Sequence, residues 1–280
     1  MTQRELEKTI HTKLSRDDDY TAYLQLDTLL GSQKPLSDPP HHDEMLFIIQ
    51  HQVAELWIKL LLHEIGRAMA WLRQDGISPA LKNLGRARQI QSQLYNQWKV
   101  LDTLTPSEYA EFRHVFGKAS GFQSAQYRIL EFVMGNKSRA LMSVYEHQPE
   151  WHAKLVAAIE APSLYDELLL HLARIGLPMP KSAIDRDFSE MRDESDDVVA
   201  SLKKIYENRE KYWPQYEMCE ALMDMESNVQ YWRFHHLKTV ERIIGHKPGT
   251  GGSSGVPFLK KALDTEFFPE LIRVRTEIGV

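Results

Sequence analysis

Two neighbouring segments contain residue types that bind cofactors and small ligands. Residues 232–236 read Trp-Arg-Phe-His-His, and residues 249–255 read Gly-Thr-Gly-Gly-Ser-Ser-Gly. Histidine is a frequent ligand of metal ions and of haem iron, and a glycine-rich backbone can approach a ligand closely. Together the segments indicate a candidate cofactor site, and each of them alone is also compatible with a structural role.

The apolar residues around the histidine pair recur with the spacing of one helix face. Steps of three and four residues predict a helix, which Gly245 ends. His236 falls on this row, whereas His235 lies about 100° around the helix axis. A buried imidazole needs partners for its ring nitrogens, so His236 is either a core residue bonded to a carbonyl group or a ligand of a metal ion or haem iron. The row contains Met218, Leu222, Met225, Val229, Trp232, Val240 and Ile243.

The glycine-rich segment does not match the common nucleotide-binding loops. A Walker loop requires Lys and then Ser or Thr after its last glycine, and here Val256-Pro257 follows. A dinucleotide-binding loop follows a strand, whereas a long predicted helix precedes this segment. With hydroxyl groups on Thr250, Ser253 and Ser254, the segment is either a mobile loop that closes over a ligand or a plain linker.

Two further pairs of residues lie four positions apart and therefore share a helix face. Phe47 and His51 either line a pocket for a flat ligand or belong to the core. Tyr109 and Arg113 follow a capping box that begins at Thr105. A guanidinium group at a pocket wall suits a bidentate contact with a carboxylate, and the alternative for Arg113 is a surface salt bridge.

One other cluster has the residue types of a metal site. His41-His42-Asp43-Glu44 precedes a predicted helix, and consecutive residues there rarely converge on one ion. No Cys-x-x-Cys-His motif is present, so any haem is bound without thioether bonds. A non-haem metalloenzyme that uses this cluster stays open, as does a non-enzymatic helical interaction protein whose histidines are core residues.

Composition restricts the class of protein. The 280 residues, 42% of them hydrophobic, can bury a large core. A net charge of −5 without a basic block argues against binding to nucleic acid. The single cysteine, Cys219, excludes an internal disulfide and fits a reducing compartment. No signal-peptide core is seen at the start, and polar residues interrupt the apolar run 45–62, so we expect a cytoplasmic protein without a membrane span.

Helix signals dominate and convincing strands are absent, which predicts an all-α helical bundle. Asp43 is the predicted cap of a long helix, and Pro214 precedes the helix that carries the histidine pair. The predicted helices cover about 4–14, 43–74, 78–101, 106–117, 124–134, 138–147, 150–160, 163–175, 196–212 and 215–245, with a last one from about 267.

Six segments, which occur in the family's order, resemble the signature segments of the tryptophan 2,3-dioxygenases. The resemblance extends from Tyr20 to the C-terminal helix. It implies an all-helical, tetrameric haem enzyme that uses O₂ to open the indole ring of L-tryptophan and forms N-formyl-L-kynurenine, the first step of the kynurenine route. The segments are 47–52 (Phe-Ile-Ile-Gln-His-Gln), 55–57 (Glu-Leu-Trp), 112–113 (Phe-Arg), 120–124 (Ser-Gly-Phe-Gln-Ser), 232–236 and 249–255.

The resemblance also implies roles for residues around the haem. His236 is expected to be the proximal ligand of the iron of a non-covalent haem b, one per subunit, and Trp98 is expected to abut the haem pocket. His51 is expected to be the distal, catalytic histidine, which accepts a hydrogen bond from the indole N–H. Phe47 is expected to pack on the indole ring.

Further expected roles concern the amino-acid end of the substrate. Arg113 is expected to bind the tryptophan carboxylate, and Thr250 to help hold its ammonium and carboxylate groups. Tyr109 and Ser120 are expected to line the same site. Tyr20, Tyr23 and Leu24 are expected to reach the active site of a neighbouring subunit in a homotetramer.

These expectations define one haem dioxygenase domain over residues 1–280. It has an N-terminal arm over 1–34 and a glycine-rich active-site loop over 245–257. A related alternative with the same chemistry is an enzyme similar to indoleamine 2,3-dioxygenase. The histidine at position 51, the tyrosine-rich arm and the complete glycine loop favour the tryptophan 2,3-dioxygenases.

Overall fold

The structure, a computed structural model, describes residues 5–15 and 19–279, and all regular secondary structure in these ranges is helical. The predicted all-α class is therefore confirmed. Three 3-10 helices cover Arg113–Phe116, Gly121–Gln123 and Arg139–Tyr145. The α-helices are α1 (Tyr20–Leu24), α2 (Leu26–Leu30), α3 (His42–Leu72), α4 (Ile77–Asn96), α5 (Trp98–Leu101), α6 (Pro106–Phe112), α7 (Ala125–Met134), α8 (Pro149–Glu160), α9 (Leu164–Arg174), α10 (Lys181–Ile184), α11 (Asp196–Glu207), α12 (Trp213–Ile244), α13 (Val256–Leu263) and α14 (Pro269–Glu277).

The long helices α3, α4 and α12 form the centre of the molecule. Helix α4 packs along both α3 and α12, and its Leu84 is fully buried between them and the rest of the core. Helices α9, α11 and α14 add a second layer through buried leucines, of which Leu168, Leu202 and Leu271 are examples. Because the long helices are fixed along their length, the side chains near their ends are held in defined positions.

Local sequence signals explain where the site-bearing helices begin and end. Thr105 accepts a hydrogen bond from the backbone N–H of Glu108, whose carboxylate accepts from the backbone N–H of Thr105, so the predicted capping box is confirmed. Helix α12 ends as predicted at Gly245, where φ is +61°, a conformation that favours glycine.

The predicted cap of the long helix α3 is wrong by two residues. His41, not Asp43, is the N-cap, because Nδ1 of its ring accepts a hydrogen bond from the backbone N–H of Asp43 at 3.2 Å. Asp43 lies in the first turn, where its negative charge interacts favourably with the helix dipole.

Other predicted boundaries also differ from the structure. The described residues of the predicted helix 4–14 are not helical, because exposed Leu6, Ile10 and Leu14 have no partner surface and short helices are marginal in water. The segment 138–147 forms a 3-10 helix, and the helix predicted over 196–212 ends at Glu207 because Asn208 leaves the helical conformation. Helix α13 was not predicted, since its first turn contains Pro257 directly after the glycine-rich loop.

Helix α3 is buried on one side only. Ile58, Leu61 and Ile65 lie in the core, whereas a row of apolar residues on the same helix is exposed. By length and composition alone, α3 is the one helix among the described residues that passes the criteria for a membrane span, and little of its apolar stretch is buried within the chain. The exposed row contains Met45, Ile49, Leu56 and Leu60.

Glu44 attaches the proline-rich segment before α3 to the helix. Its buried carboxylate accepts hydrogen bonds from the backbone N–H groups of Leu36 at 2.7 Å and Ser37 at 3.0 Å, and from the Ser37 hydroxyl group. Burial raises the pKa of Glu44, but these hydrogen bonds outweigh burial and hold the pKa below its ordinary value. The ionised form is therefore the one that the fold stabilises.

Glu44→Gln is expected to lower the free energy of unfolding by about 1–3 kcal/mol at pH 7, because the charge-assisted hydrogen bonds are lost. The folded pKa is depressed, so the stabilisation is present above the unfolded pKa of about 4.3 and is lost as the pH falls through the folded pKa. Urea unfolding of both proteins at pH 7 and below pH 4 measures this. If the free energies of unfolding of the wild type and Glu44→Gln differed equally at both pH values, the stabilising role of the ionised carboxylate would be contradicted. Glu217→Gln, at an exposed position, is the control.

Candidate active site

A cavity of about 820 Å³ lies between the two long helices that carry the candidate histidines. Helices α3 and α12 form opposite parts of its wall, and α5, α6, α7, α13 and the glycine-rich loop complete it. Eight predicted site residues line this one cavity, although they come from distant parts of the chain. They are Phe47, His51, Trp98, Tyr109, Arg113, Ser120, His236 and Thr250.

On the α12 side, His236 packs against two tryptophans, which also contact each other with centroids 5.6 Å apart. The ring of Trp98 stacks on the imidazole with centroids 4.9 Å apart and planes 13° apart, and the Trp232 ring lies 5.5 Å away. Burial, and then a positive charge on His51, lower the pKa of His236 to about 4. No hydrogen bond to its ring is present among the described residues. His236 is therefore a neutral imidazole at pH 7 with a nitrogen available to a ligand.

The neighbouring His235 has a different environment. Its ring meets Tyr95 edge to face with centroids 4.5 Å apart, and it does not line the cavity. The structure thus places His236, and not His235, at the cavity, as the helix phase predicted, and the binding of iron by His236 stays a prediction. His236 occupies a position in the apolar row of α12, and Val229 and Ile243 in the same row are buried in the core.

On the α3 side, His51 has a defined tautomer. Nδ1 lies 2.7 Å from the carbonyl oxygen of Phe47, which can only accept, so Nδ1 carries the proton and Nε2 is the acceptor in the neutral ring. Burial lowers the pKa of His51, although the Phe47 carbonyl and Glu55 act in the opposite direction. Phe47 stacks on Phe116 with centroids 4.7 Å apart, which fixes the ring beside His51. This wall therefore offers one flat apolar surface and one hydrogen-bond acceptor.

The glycine-rich loop is held against the cavity by two polar contacts. Arg113 donates from Nη2 to the carbonyl oxygen of Pro248 at 2.6 Å, and Thr250 donates from its hydroxyl group to the carbonyl oxygen of Ala119 at 2.5 Å. The Nε atom of Arg113 is buried and has no partner among the described residues. Burial raises the pKa of Tyr109, more than the adjacent Arg113 lowers it, so the phenol stays protonated. The loop and Arg113 together form the polar end of the cavity.

A buried polar cluster that also lines the cavity was not predicted. Arg128 pairs with Glu131, which also accepts from Arg233 at 3.2 Å, and Arg233 donates to the carbonyl oxygen of Thr265 at 2.8 Å. Arg128 retains a buried Nε atom without a partner within the described part of the chain. Arg233 belongs to the Trp-Arg-Phe-His-His segment at 232–236. The spacing of residues in that segment did not predict its ion pair with Glu131.

Three predicted site residues lie away from this cavity. Tyr20, Tyr23 and Leu24 belong to α1, and their side chains are 73%, 86% and 39% exposed. None of them lines the cavity of its own chain. Their expected role in a neighbouring subunit stays a prediction.

The alternative metal cluster does not converge. The ring of His41 uses Nδ1 to cap α3 and lies 3.0 Å from the Glu111 carboxylate through Nε2, whereas Glu44 binds the backbone of Leu36 and Ser37. Across residues 5–15 and 19–279, no group of three or more His, Cys, Asp or Glu side chains is arranged to hold a metal ion. This arrangement does not support a non-haem site at residues 41–44.

Comparison with known proteins identifies the family to which the chain belongs. The sequence model of the family described as tryptophan 2,3-dioxygenase matches residues 5–278. A protein named tryptophan 2,3-dioxygenase from Serratia proteamaculans (strain 568) is 56% identical over 279 residues, with all of both chains covered. Proteins of the same name from Arthrobacter sp. (strain FB24) and Kineococcus radiotolerans are 54% and 53% identical, with 99% of this chain and 97% and 96% of theirs covered. This chain therefore belongs to the tryptophan 2,3-dioxygenase family.

Proposed function

We propose that this protein is a haem-dependent dioxygenase that cleaves the indole C2–C3 bond of L-tryptophan with O₂. The product is N-formyl-L-kynurenine, and the reaction is the first step of tryptophan catabolism by the kynurenine route. Membership of the family supports this reaction. The observation that carries it is the position of two histidines, His51 and His236, in the wall of one cavity, close enough that a charge on one lowers the pKa of the other.

The cavity fits a non-covalent haem b, one per subunit. Its volume of about 820 Å³ lies within the range of roughly 300–1,000 Å³ that small-molecule and cofactor sites occupy. The neutral, unpaired imidazole of His236 suits an axial ligand of iron, and the unpaired Nε of Arg128 suits a carboxylate group of the cofactor. When bound, the haem supplies the activation of O₂, which no amino-acid side chain provides.

The residues of the opposite wall orient the substrate. The Nε2 acceptor of His51 receives the indole N–H, and the ring of Phe47 covers one face of the indole. Arg113 binds the carboxylate, and Thr250 contacts the ammonium and carboxylate groups as the loop closes. Tyr109 and Ser120 complete the wall. These contacts place the indole C2–C3 bond and exclude water from it.

We propose that the exposed surfaces of α1 and α3 are covered in a homotetramer. The apolar row on α3 and the exposed Tyr20, Tyr23 and Leu24 are consistent with contacts between subunits. In this arrangement the N-terminal arm of one subunit reaches the active site of its neighbour. The same burial accounts for the apolar face of α3 without a lipid environment, and the protein is cytoplasmic.

His236→Ala is expected to abolish haem binding, because no other imidazole with a free nitrogen lies on the α12 wall of the cavity. Absorption spectra after reconstitution with haem should lack the Soret band of the wild type. His235→Ala is the matched control, since His235 packs on Tyr95 outside the cavity. A normal ferrous haem spectrum for His236→Ala would show that the ligand assignment is wrong.

His51→Ala is expected to retain the Soret band and to lower kcat/KM for tryptophan about ten- to hundredfold. The reason is the loss of one orienting hydrogen bond, which is worth about 1–3 kcal/mol. Steady-state formation of N-formylkynurenine gives the measurement. His63→Ala, at an exposed position of the same helix, should have little effect. Unchanged turnover in His51→Ala would rule out the orienting role.

Gly251 allows the loop to reach its closed position. A Cβ atom at residue 251 would lie 2.7 Å from Cβ of Ser120, which is far closer than normal contact. Gly251 is not among the glycines with a positive φ, so a left-handed backbone is not the reason for glycine at this position. Glycine is therefore needed at position 251 because the loop approaches residues 118–120 closely, and not because of the backbone conformation.

Gly251→Ala is expected to lower kcat/KM about ten- to hundredfold, because overpacking of 1–3 kcal/mol keeps Thr250 from its position. In a double-mutant cycle with Ser120→Gly the two losses should be less than additive, since the smaller residue 120 removes the clash. Gly66→Ala, where an added Cβ meets nothing within 4 Å, is the control. Wild-type kinetics for Gly251→Ala would contradict the need for close approach.

A further inference from the structure

A second, smaller cavity of about 20 Å³ lies in the core beside the large one. Its wall comes from α3, α4, α7 and α12, and most of the residues that form it are buried. Ile58, Tyr127 and Trp232 line both cavities, so these three side chains are the partition between them. The other lining residues are Leu61, Gln91, Leu94, Leu130, Asn228 and Val229.

The small cavity presents an almost entirely apolar surface. Its two amide side chains bond elsewhere: Gln91 donates to the carbonyl oxygen of Met225 at 3.2 Å, and Asn228 donates to Oε1 of Gln91 at 3.5 Å. A buried water requires two to four polar partners, and apolar cavities stay dry or take apolar guests. The volume exceeds the roughly 10–15 Å³ that a single water molecule needs. The cavity therefore suits one small apolar molecule.

We propose that this cavity is a docking site for O₂ beside the haem pocket, an inference that rests on the proposed dioxygenase function. O₂ is a small apolar molecule, and its transfer from water to an apolar cavity is favourable. In this partition the rings of Tyr127 and Trp232 stack with centroids 5.0 Å apart, and the Trp232 ring lies 5.5 Å from His236. Ile58 lies on α3, seven residues after His51, so the partition also borders the side of the large cavity that faces away from His236, where O₂ would bind.

The position of the small cavity matters most when the glycine-rich loop is closed over the large cavity. The glycine-rich loop lies against the large cavity, and bound tryptophan fills the space beside it. A gas molecule that already occupies the core reaches the haem by passing the Trp232 partition, without reopening the loop. The docking site therefore supplies O₂ from the side of the core, where the substrate does not stand in the way.

Xenon is the probe for the site. Crystals of the haem-loaded enzyme under xenon pressure are expected to show one xenon atom between Leu94, Val229 and Trp232. An ordered water in this cavity, bonded to Asn228 or to the buried, unpaired indole N–H of Trp232, would overturn the proposal. An empty cavity under xenon would also overturn it.

Val229→Ile tests whether the site serves O₂. Val229 lines only the small cavity, and one added methyl group fills it without touching the haem pocket. The variant is expected to lose xenon and to slow O₂ binding to ferrous haem after flash photolysis by about threefold to tenfold, because the added group obstructs passage. The matched control, Val133→Ile, adds the same group on α7 at a residue that lines neither cavity.

Loss of xenon with an unchanged O₂ rate would refute the role in O₂ delivery. Failure of this inference is distinguishable from failure of the proposed function. The Soret band and the formation of N-formylkynurenine by the wild type report on the function, whereas xenon occupancy depends on neither. A normal Soret band with normal affinity for tryptophan in Val229→Ile shows that the variant leaves the haem pocket intact.

Discussion

The packing of His236 against Trp98 and Trp232 is the interaction on which the site depends. The imidazole lines the cavity and has no hydrogen-bond partner among the described residues, so a nitrogen is free for a ligand there, while the two indole rings pack on the rest of the ring. The same surroundings keep the ring neutral, so that its nitrogen remains a donor of an electron pair. Helix α12 must keep its register for this contact, and α5 must follow α4 directly to bring Trp98 onto the imidazole.

Much of this arrangement could be predicted from local sequence. The spacing of the row around His236 distinguished it from His235, and the capping box at Thr105 and the glycine at 245 set helix ends that the structure shows. These signals are readable because they act within one or two helical turns. The cap at His41 was missed, since an imidazole acceptor is less common there than the carboxylate of Asp43.

The remaining features depend on packing between distant segments. Glu131 pairs with both Arg128 and Arg233. The pair with Arg233 forms only because α7 lies against α12, and no sequence motif predicts that contact. The small cavity arises where side chains of four helices fail to fill space, and no periodic pattern records a void. The four-residue spacing of Phe47 and His51 predicted only that the two side chains share one face of a helix. Their meeting with His236 follows from the way α4 holds α3 and α12.

The hydrogen bond from Arg113 to the carbonyl oxygen of Pro248 has a consequence for which indoles the enzyme accepts. In the free protein the guanidinium group already has a neutral acceptor, so an entering molecule must offer a better one. A carboxylate does so, because it carries a full negative charge and can accept two parallel N–H bonds from the guanidinium group, whereas the carbonyl oxygen of Pro248 is neutral. Tryptamine, which lacks the carboxylate, has nothing to exchange for the loop carbonyl. With Arg113 in its proposed role, the resting contact of the loop would favour the amino acid over its decarboxylated amine.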